Sequence, residues 1–196
     1  ITENKIIRSM ISPAYPTSYL RVMRGNLADD GAIAQFHNKI TSFNGTAKIY
    51  TNEESAVDAI LGREISAGDV MVIRNEGAKS GPGMRQIYIS LALLKAVGLE
   101  KKVAVITDGR IPDFYGGIVV GHITPESYDM GTISILRDGD NIDISINKGR
   151  ISVDIKANEK QNRLKTADIF SQGSASKYLR AYAKTVGSPS EGCVIK

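Results

Sequence analysis

Residues 69–108, DVMVIRNEGAKSGPGMRQIYISLALLKAVGLEKKVAVITD, hold two short apolar runs, DVMVI and KVAVI, with an apolar segment of helical spacing between them. Continuous apolar runs of that length read as buried strands, and GMRQIYISLALLKAVG reads as a helix that stops at Gly98. Strand, helix and strand in this order make a crossover unit, whose strands lie parallel and whose connection is right-handed. The loops leaving the two strands, NEGAKSGPG and TDGRIPDFYGG, therefore belong at one carboxyl edge of the sheet, where open α/β sheets bind their ligands.

Working outward, TSYLRVMR, GAIAQF and TAKIY give two or three short strands within residues 17–50. TNEESAVDAILG reads as a short helix with Thr51 at its cap, Glu54 three residues on, and Ala56, Val57, Ile60 and Leu61 on one face, ending at Gly62. Beyond Thr124 the pattern changes to hairpins: TISILRD, NIDISIN and RISVDIK, with turns at Asp138-Gly139 and Lys148-Gly149, predict an antiparallel meander. NEKQNRLKTADIF and SASKYLRAYAKTVG predict two surface helices, and Gly187, Ser188 and Pro189 mark a frayed tail. The expected fold is α/β, a β-rich barrel-like domain. It comprises a strand–helix–strand unit, an antiparallel meander and C-terminal helices. The expected organisation is one domain over residues 1–196: a lead-in at 1–16, the barrel at 17–156 and a helical segment at 157–196.

With 196 residues, 42% hydrophobic and 23% charged, the chain suits one folded domain and leaves no room for a second large catalytic one. No apolar run approaches the roughly 18 to 20 residues that span a bilayer, so no membrane is expected. The N-terminus lacks the charged and apolar regions of a secretory leader. The single cysteine, Cys193, excludes a disulfide framework and any cysteine-only metal or cluster site, and it is expected to be incidental. A cytoplasmic setting follows as the expectation. The net charge of +4 is spread among acids with no aromatic-interleaved basic stripe, so no nucleic acid is expected. The chain begins at Ile1, which suggests a piece of a longer one.

Gly77, Gly81 and Gly83 fall within seven residues, before the predicted helix. With Lys79 and Ser80 they suit a cradle in which backbone N–H groups meet a carboxylate or phosphate. A plain loop that needs glycine for its turns fits equally well. The P-loop pattern GxxxxGK[ST] is absent. Arg110 suits a bidentate contact to a substrate carboxylate, or a pair with Asp108 or another local acid. His122, with His37 as its only fellow histidine, is expected to be a hydrogen-bonded core residue rather than a metal ligand. Asp29 and Asp30 read as turn residues.

RGNLADDGA (24–32), GDVMVIRNEGAKSGPGM (68–84), VAVITDGR (103–110), VVGHITPE (119–126) and DGDNIDI (138–144) closely resemble the C-terminal domain of the dihydroxy-acid dehydratase and 6-phosphogluconate dehydratase family. They stand in the family's order and spacing, and SASKYLRAYAKTVGSPSEGCV resembles its tail. The resemblance runs over residues 5–194, and GHITPE favours the dihydroxy-acid branch.

The resemblance implies a swivelling β-barrel and a hydro-lyase that turns a 2,3-dihydroxy acid or sugar acid into a 2-oxo acid plus water. The settings are branched-chain amino acid biosynthesis or sugar acid metabolism. It implies an iron–sulfur cluster and Mg²⁺ held mainly by a large N-terminal domain, a partner not found in this sequence. It further implies a small organic acid as ligand and a homo-oligomer. In the family this domain supplies a metal-ligand glutamate within GPGMPEM and a serine base within TDGRFSGG. Here those positions are Gln86 and Pro112. A glutamine brings no charge to a hard cation, and proline has no side-chain proton acceptor. The glycines after the family serine are Asp113 and Phe114 here. Asp113 and Tyr115 are the loop's only new acid–base candidates.

Three readings follow. The chain is the C-terminal domain of a dehydratase-like protein, not catalytic by itself; or a stand-alone interaction or regulatory module; or a divergent enzyme using Asp113.

Overall fold

Eight strands close into a barrel in the order β1-β2-β6-β5-β4-β3-β7-β8. They are β1 (Leu20–Gly25), β2 (Ala28–Gln35), β3 (Ser42–Tyr50), β4 (Asp69–Ile73), β5 (Ala104–Thr107), β6 (Val119–Thr124), β7 (Asn141–Ser145) and β8 (Arg150–Val153). The computed structural model describes residues 8–13, 19–36, 40–81, 83–113, 115–167 and 176–196. His37, Phe114, most of the 1–16 lead-in and residues 168–170 of the predicted helix lie outside the described residues.

Strands β3, β4, β5 and β6 run parallel to one another. Antiparallel pairs β1–β2, β2–β6, β3–β7 and β7–β8 complete the wall. The barrel closes where β1 meets β8 in parallel, at Arg24 and Arg150. A side chain at Gly25, whose φ is +150°, would put its Cβ 1.9 Å from the Ile151 carbonyl oxygen. Only glycine allows that seam.

All five residues of β4 and all four of β5 are buried. Val70, Val72, Ala104 and Ile106 face the barrel interior. Met71, Ile73 and Val105 face a second core under α1 (Glu53–Leu61) and α2 (Ile89–Ala96), where they meet Ile60, Leu91 and Leu94. Burial on both faces is why these strands read as unbroken apolar runs. Each fully buried leucine contributes about 1.5–3 kcal/mol.

Helix α1 is capped by Asn52, not Thr51, with the Asn52 Oδ1 accepting from Ser55 N at 2.8 Å. Its buried face is Glu53, Ala56, Ala59 and Ile60, while Val57 is half-buried and Leu61 exposed. Helix α2 starts five residues later than its apolar spacing suggests. Residues 85–87 are drawn instead into a short parallel bridge beside Arg110. Its N-terminus has no local cap; Oε1 of Glu53 accepts from Tyr88 N at 2.7 Å and from Ser90 N and Oγ at 3.0 Å. A helix capped by a distant residue shows no cap in its own sequence.

TISILRD does not form a strand. Thr132–Ile135 is a 3₁₀ turn in which Ser134 N and Oγ both bond the Gly131 carbonyl oxygen. That spacing sends Ile133 and Leu136 into the barrel core together. Asp138-Gly139 therefore leads into β7 rather than turning a hairpin, and only β7–β8 forms the predicted antiparallel pair around Lys148-Gly149. Asp29 and Asp30 lie exposed within β2, not in a turn.

Helix α3 (Ala157–Thr166) buries no residue of its own, and Arg163 ties it to Asp140 at 2.6 and 3.0 Å. Beyond α4 (Lys177–Thr185) the tail is folded rather than frayed. Val186 bridges Ile195, Pro189–Glu191 makes a 3₁₀ turn, and Val186 and Cys193 pack on Ala78 and Met84. No helix among the described residues is long and apolar enough to cross a membrane.

Candidate functional site

Because β4 and β5 are parallel neighbours, the loops that follow them meet at one edge, and the loop after β6 joins them. Asp108, fully buried, fastens all three. Its Oδ1 accepts from Glu76 N at 2.9 Å, and its Oδ2 from Asn75 N at 3.2 Å and Ser127 N at 2.9 Å. Burial raises the Asp108 carboxyl above its ordinary value, and the three backbone donors oppose that rise.

The glycine-rich loop does wrap an anion, and the anion belongs to the chain. Glu126, fully buried, accepts from Lys79 N through Oε1 and Oε2 at 3.1 Å, and from Ser80 Oγ at 3.3 Å. A Cβ at Gly77 would stand 2.0 Å from Glu126 Oε2, so that position admits only glycine. Burial, then the charge of Asp108, pushes the Glu126 carboxyl up to about 7. Lys79 turns its Nζ to Asp129 at 2.6 Å. The loop does not lead directly into α2, since residues 84–88 intervene, so the helix terminus is not what receives this carboxylate.

Two more carboxylates continue the pattern. Glu76 Oε1 accepts from Glu53 N at 2.9 Å, and burial raises its carboxyl. Glu53 in turn caps α2. Arg85 lies over this pair, 3.6 Å from Glu76 and 3.9 Å from Glu53, and is bonded to Glu54 through both terminal nitrogens. Glu53, Glu76, Asp108 and Glu126 were not singled out as site residues from the sequence. For Asp108 the available signal was position: an acid directly after a strand buried on both faces must be paired.

The residues singled out from the sequence separate into an edge group and an inner group. Gln86 is exposed, next to Arg110 in the short bridge, and its Nε2 donates to the Ile111 carbonyl at 3.3 Å. Arg110 is exposed and donates from Nε to the Met84 carbonyl at 2.8 Å; it does not pair with Asp108, whose oxygens are taken by backbone donors. Asp113 is exposed. Pro112 is buried. Tyr115 is also buried, its hydroxyl donating to the Val103 carbonyl at 3.3 Å, and burial raises its phenol further above its ordinary value. Gly81 is buried and Gly83 exposed at φ +80°. His122 is half-buried rather than a bonded core residue: its ring makes no hydrogen bond among the described residues.

Among the described residues no three His, Cys, Asp or Glu side chains gather as a metal site. Gln86 offers one neutral oxygen, and the buried carboxylates are turned onto backbone amides. These residues do not by themselves fit a hard cation or an iron–sulfur cluster.

Residues 5–193 match the family described as Dihydroxy-acid/6-phosphogluconate dehydratase C-terminal. The chain belongs to this family. A dihydroxy-acid dehydratase of Dehalococcoides mccartyi (strain CBDB1) is 41% identical over 99% of the chain and 36% of its own length. Those of Acetivibrio thermocellus and Methylococcus capsulatus are 38% and 42% identical, over 100% and 96% of the chain and 36% and 34% of their own lengths. The chain thus spans about a third of the length of the relatives it matches, in line with the C-terminal domain that the family description names. The family resemblance read from GDVMVIRNEGAKSGPGM and VAVITDGR holds, as does the β-rich barrel.

Proposed function

We propose that this chain is the barrel domain that closes over a dehydratase reaction centre supplied by an N-terminal domain or subunit, and that it has lost the groups with which the family's barrel takes part in the reaction. One observation carries this: the buried acids of the carboxyl edge are committed to backbone amides, while Gln86 and Pro112 stand where the resemblance places a metal-ligand carboxylate and a base. What remains at the edge can bind and orient. Exposed Gln86 and Arg110 present donors to an organic acid, and Tyr88 and Ile89, exposed further along the same segment as Gln86, offer apolar surface to the covering domain.

In the complete protein the iron–sulfur cluster and Mg²⁺ would supply Lewis acidity to the leaving hydroxyl. The substrate class is a 2,3-dihydroxy or sugar acid, the setting the cytoplasm and the assembly a homo-oligomer. The test is turnover: the purified chain, supplied with iron, sulfide and Mg²⁺, gives no 2-oxo acid from 2,3-dihydroxyisovalerate or sugar acids. Turnover that Asp113→Asn abolishes would replace this reading with that of a divergent enzyme.

A further inference from the structure

Among the described residues the core under α1 and α2 takes nothing from β7 or β8, so the outer face of these strands needs no apolar side chains. Ile142, Ile144, Ile151 and Val153 point into the barrel, and the alternating Asn141, Asp143, Arg150 and Ser152 point out. Register lays the outward residues in rows across the sheet. Asn44 of β3 pairs with Asp143, Asp143 pairs with Ser152, and Asp154 N bonds the Asn141 carbonyl oxygen at 2.9 Å. Directly paired side chains stand about 4.5–5.5 Å apart at Cβ, and diagonal ones such as Asp143 and Arg150 about 7–8 Å. All but Arg150 are short, which leaves a hollow. A cavity of about 670 Å³ is lined by these six residues and by the β1–β2 turn at Gly25 and Asn26. Asn26 fixes that wall: its Nδ2 donates to the Val153 carbonyl oxygen and its Oδ1 accepts from Val153 N, both at 2.9 Å.

The six polar side chains are unengaged: none of them makes a hydrogen bond or ion pair among the described residues. Opposite charges share one cavity without neutralising each other. Its two carboxylates only accept hydrogen bonds, its guanidinium only donates, and its amides and hydroxyl do both. An anion would meet two carboxylates for one guanidinium, and a bare cation would leave the guanidinium and amide donors unanswered. A neutral hydroxyl both donates and accepts, and neighbouring hydroxyls on a sugar ring can bridge the two polar atoms of one carboxylate or amide. The volume lies within the roughly 300–1,000 Å³ of small-molecule sites. The paired strands beneath hold the groups in place before a ligand arrives, which lowers the cost of binding.

We propose that the hollow over β3, β7 and β8 is a binding site for a neutral saccharide, whose hydroxyls donate to Asp143 and Asp154, accept from Arg150, and do both with Asn44 and Asn141. None of the lining residues belongs to the loops after β4, β5 or β6. The site therefore goes beyond the closing-domain reading and stands without it.

The test titrates the methyl α-glycosides of glucose, galactose and mannose into the isotope-labelled 196-residue chain and follows the backbone amides. At least one should give saturable shifts centred on Asn44 and residues 141–154, with a Kd of about 1–10 mM. Asp143→Ala and Arg150→Ala each remove an exposed side chain and leave the strand pairing in place. Each should weaken binding about threefold or more. The amide fingerprint in the same spectra reports whether each variant is folded. The uronate form of whichever glycoside binds brings a negative charge to the two carboxylates and should bind about threefold or more weakly. No saturable shift from any of the three glycosides, shifts centred elsewhere, unchanged affinity in either variant, or tighter binding of the uronate would each overturn the site.

Discussion

Replacing Gly77 with alanine tests whether Glu126 truly holds the glycine-rich loop. The new Cβ would stand 2.0 Å from Glu126 Oε2 and 2.7 Å from its Cδ, where ordinary contact is roughly 3.5 Å. Glu126 is fully buried and fixed by Lys79 N and Ser80 Oγ, so it cannot swing away without giving up those bonds. Overpacking costs about 1–3 kcal/mol, and weakening hydrogen bonds to a charged group costs about 1.5–3 kcal/mol more. The sum is a loss of about 2.5–6 kcal/mol in urea unfolding at pH 7.5, with faster amide exchange at Lys79 and Ser80. Gly83→Ala is the control: nothing lies within 4 Å of its Cβ, and only the φ of +80° is unfavourable. That strain costs about 1–2 kcal/mol. If Gly77→Ala costs no more than Gly83→Ala, Glu126 is not the clamp described above.

The Glu126 carboxyl, raised on folding from its ordinary 4.5 to about 7, also sets a pH dependence. A carboxyl raised on folding contributes stability that is full below the unfolded value and lost as pH climbs through the folded one. Stability should therefore fall by about 3 kcal/mol at most between pH 4.5 and 7, and Glu126→Gln should flatten that slope in urea titrations. Arg163→Ala removes the bidentate pair with Asp140 and the 2.8 Å bond to Glu159. It should cost about 1–3 kcal/mol, with amide exchange rising in α3 and unchanged in the barrel strands.

Strands β4 and β5 were legible because burial on both faces leaves an unbroken apolar run, and the edge where their loops meet followed from their parallel order. The anion cradle was legible as a shape but not as an occupied one, since Glu126 lies 47 residues from Lys79. The start of α2 was hidden for the same reason: Glu53, 35 residues from Tyr88, supplies the cap. TISILRD misled because Ile133, Ile135 and Leu136 satisfy a strand's alternation in part, and the serine bond to Gly131 that turns the chain leaves no periodic trace. The hollow over β7 and β8 depends on register with β3, which no local pattern records. What the sequence did show at the site, Gln86 and Pro112 in place of a ligand and a base, is a matter of residue identity and needs no geometry.

The most direct measurement replaces the C-terminal third of the Dehalococcoides relative with this chain and assays 2-oxo acid formation from 2,3-dihydroxyisovalerate with the cluster and Mg²⁺ loaded. The chimera should assemble and give no product, and Gln86→Glu together with Pro112→Ser should restore turnover. Product formed by the unsubstituted chimera would contradict the loss of chemistry at this edge.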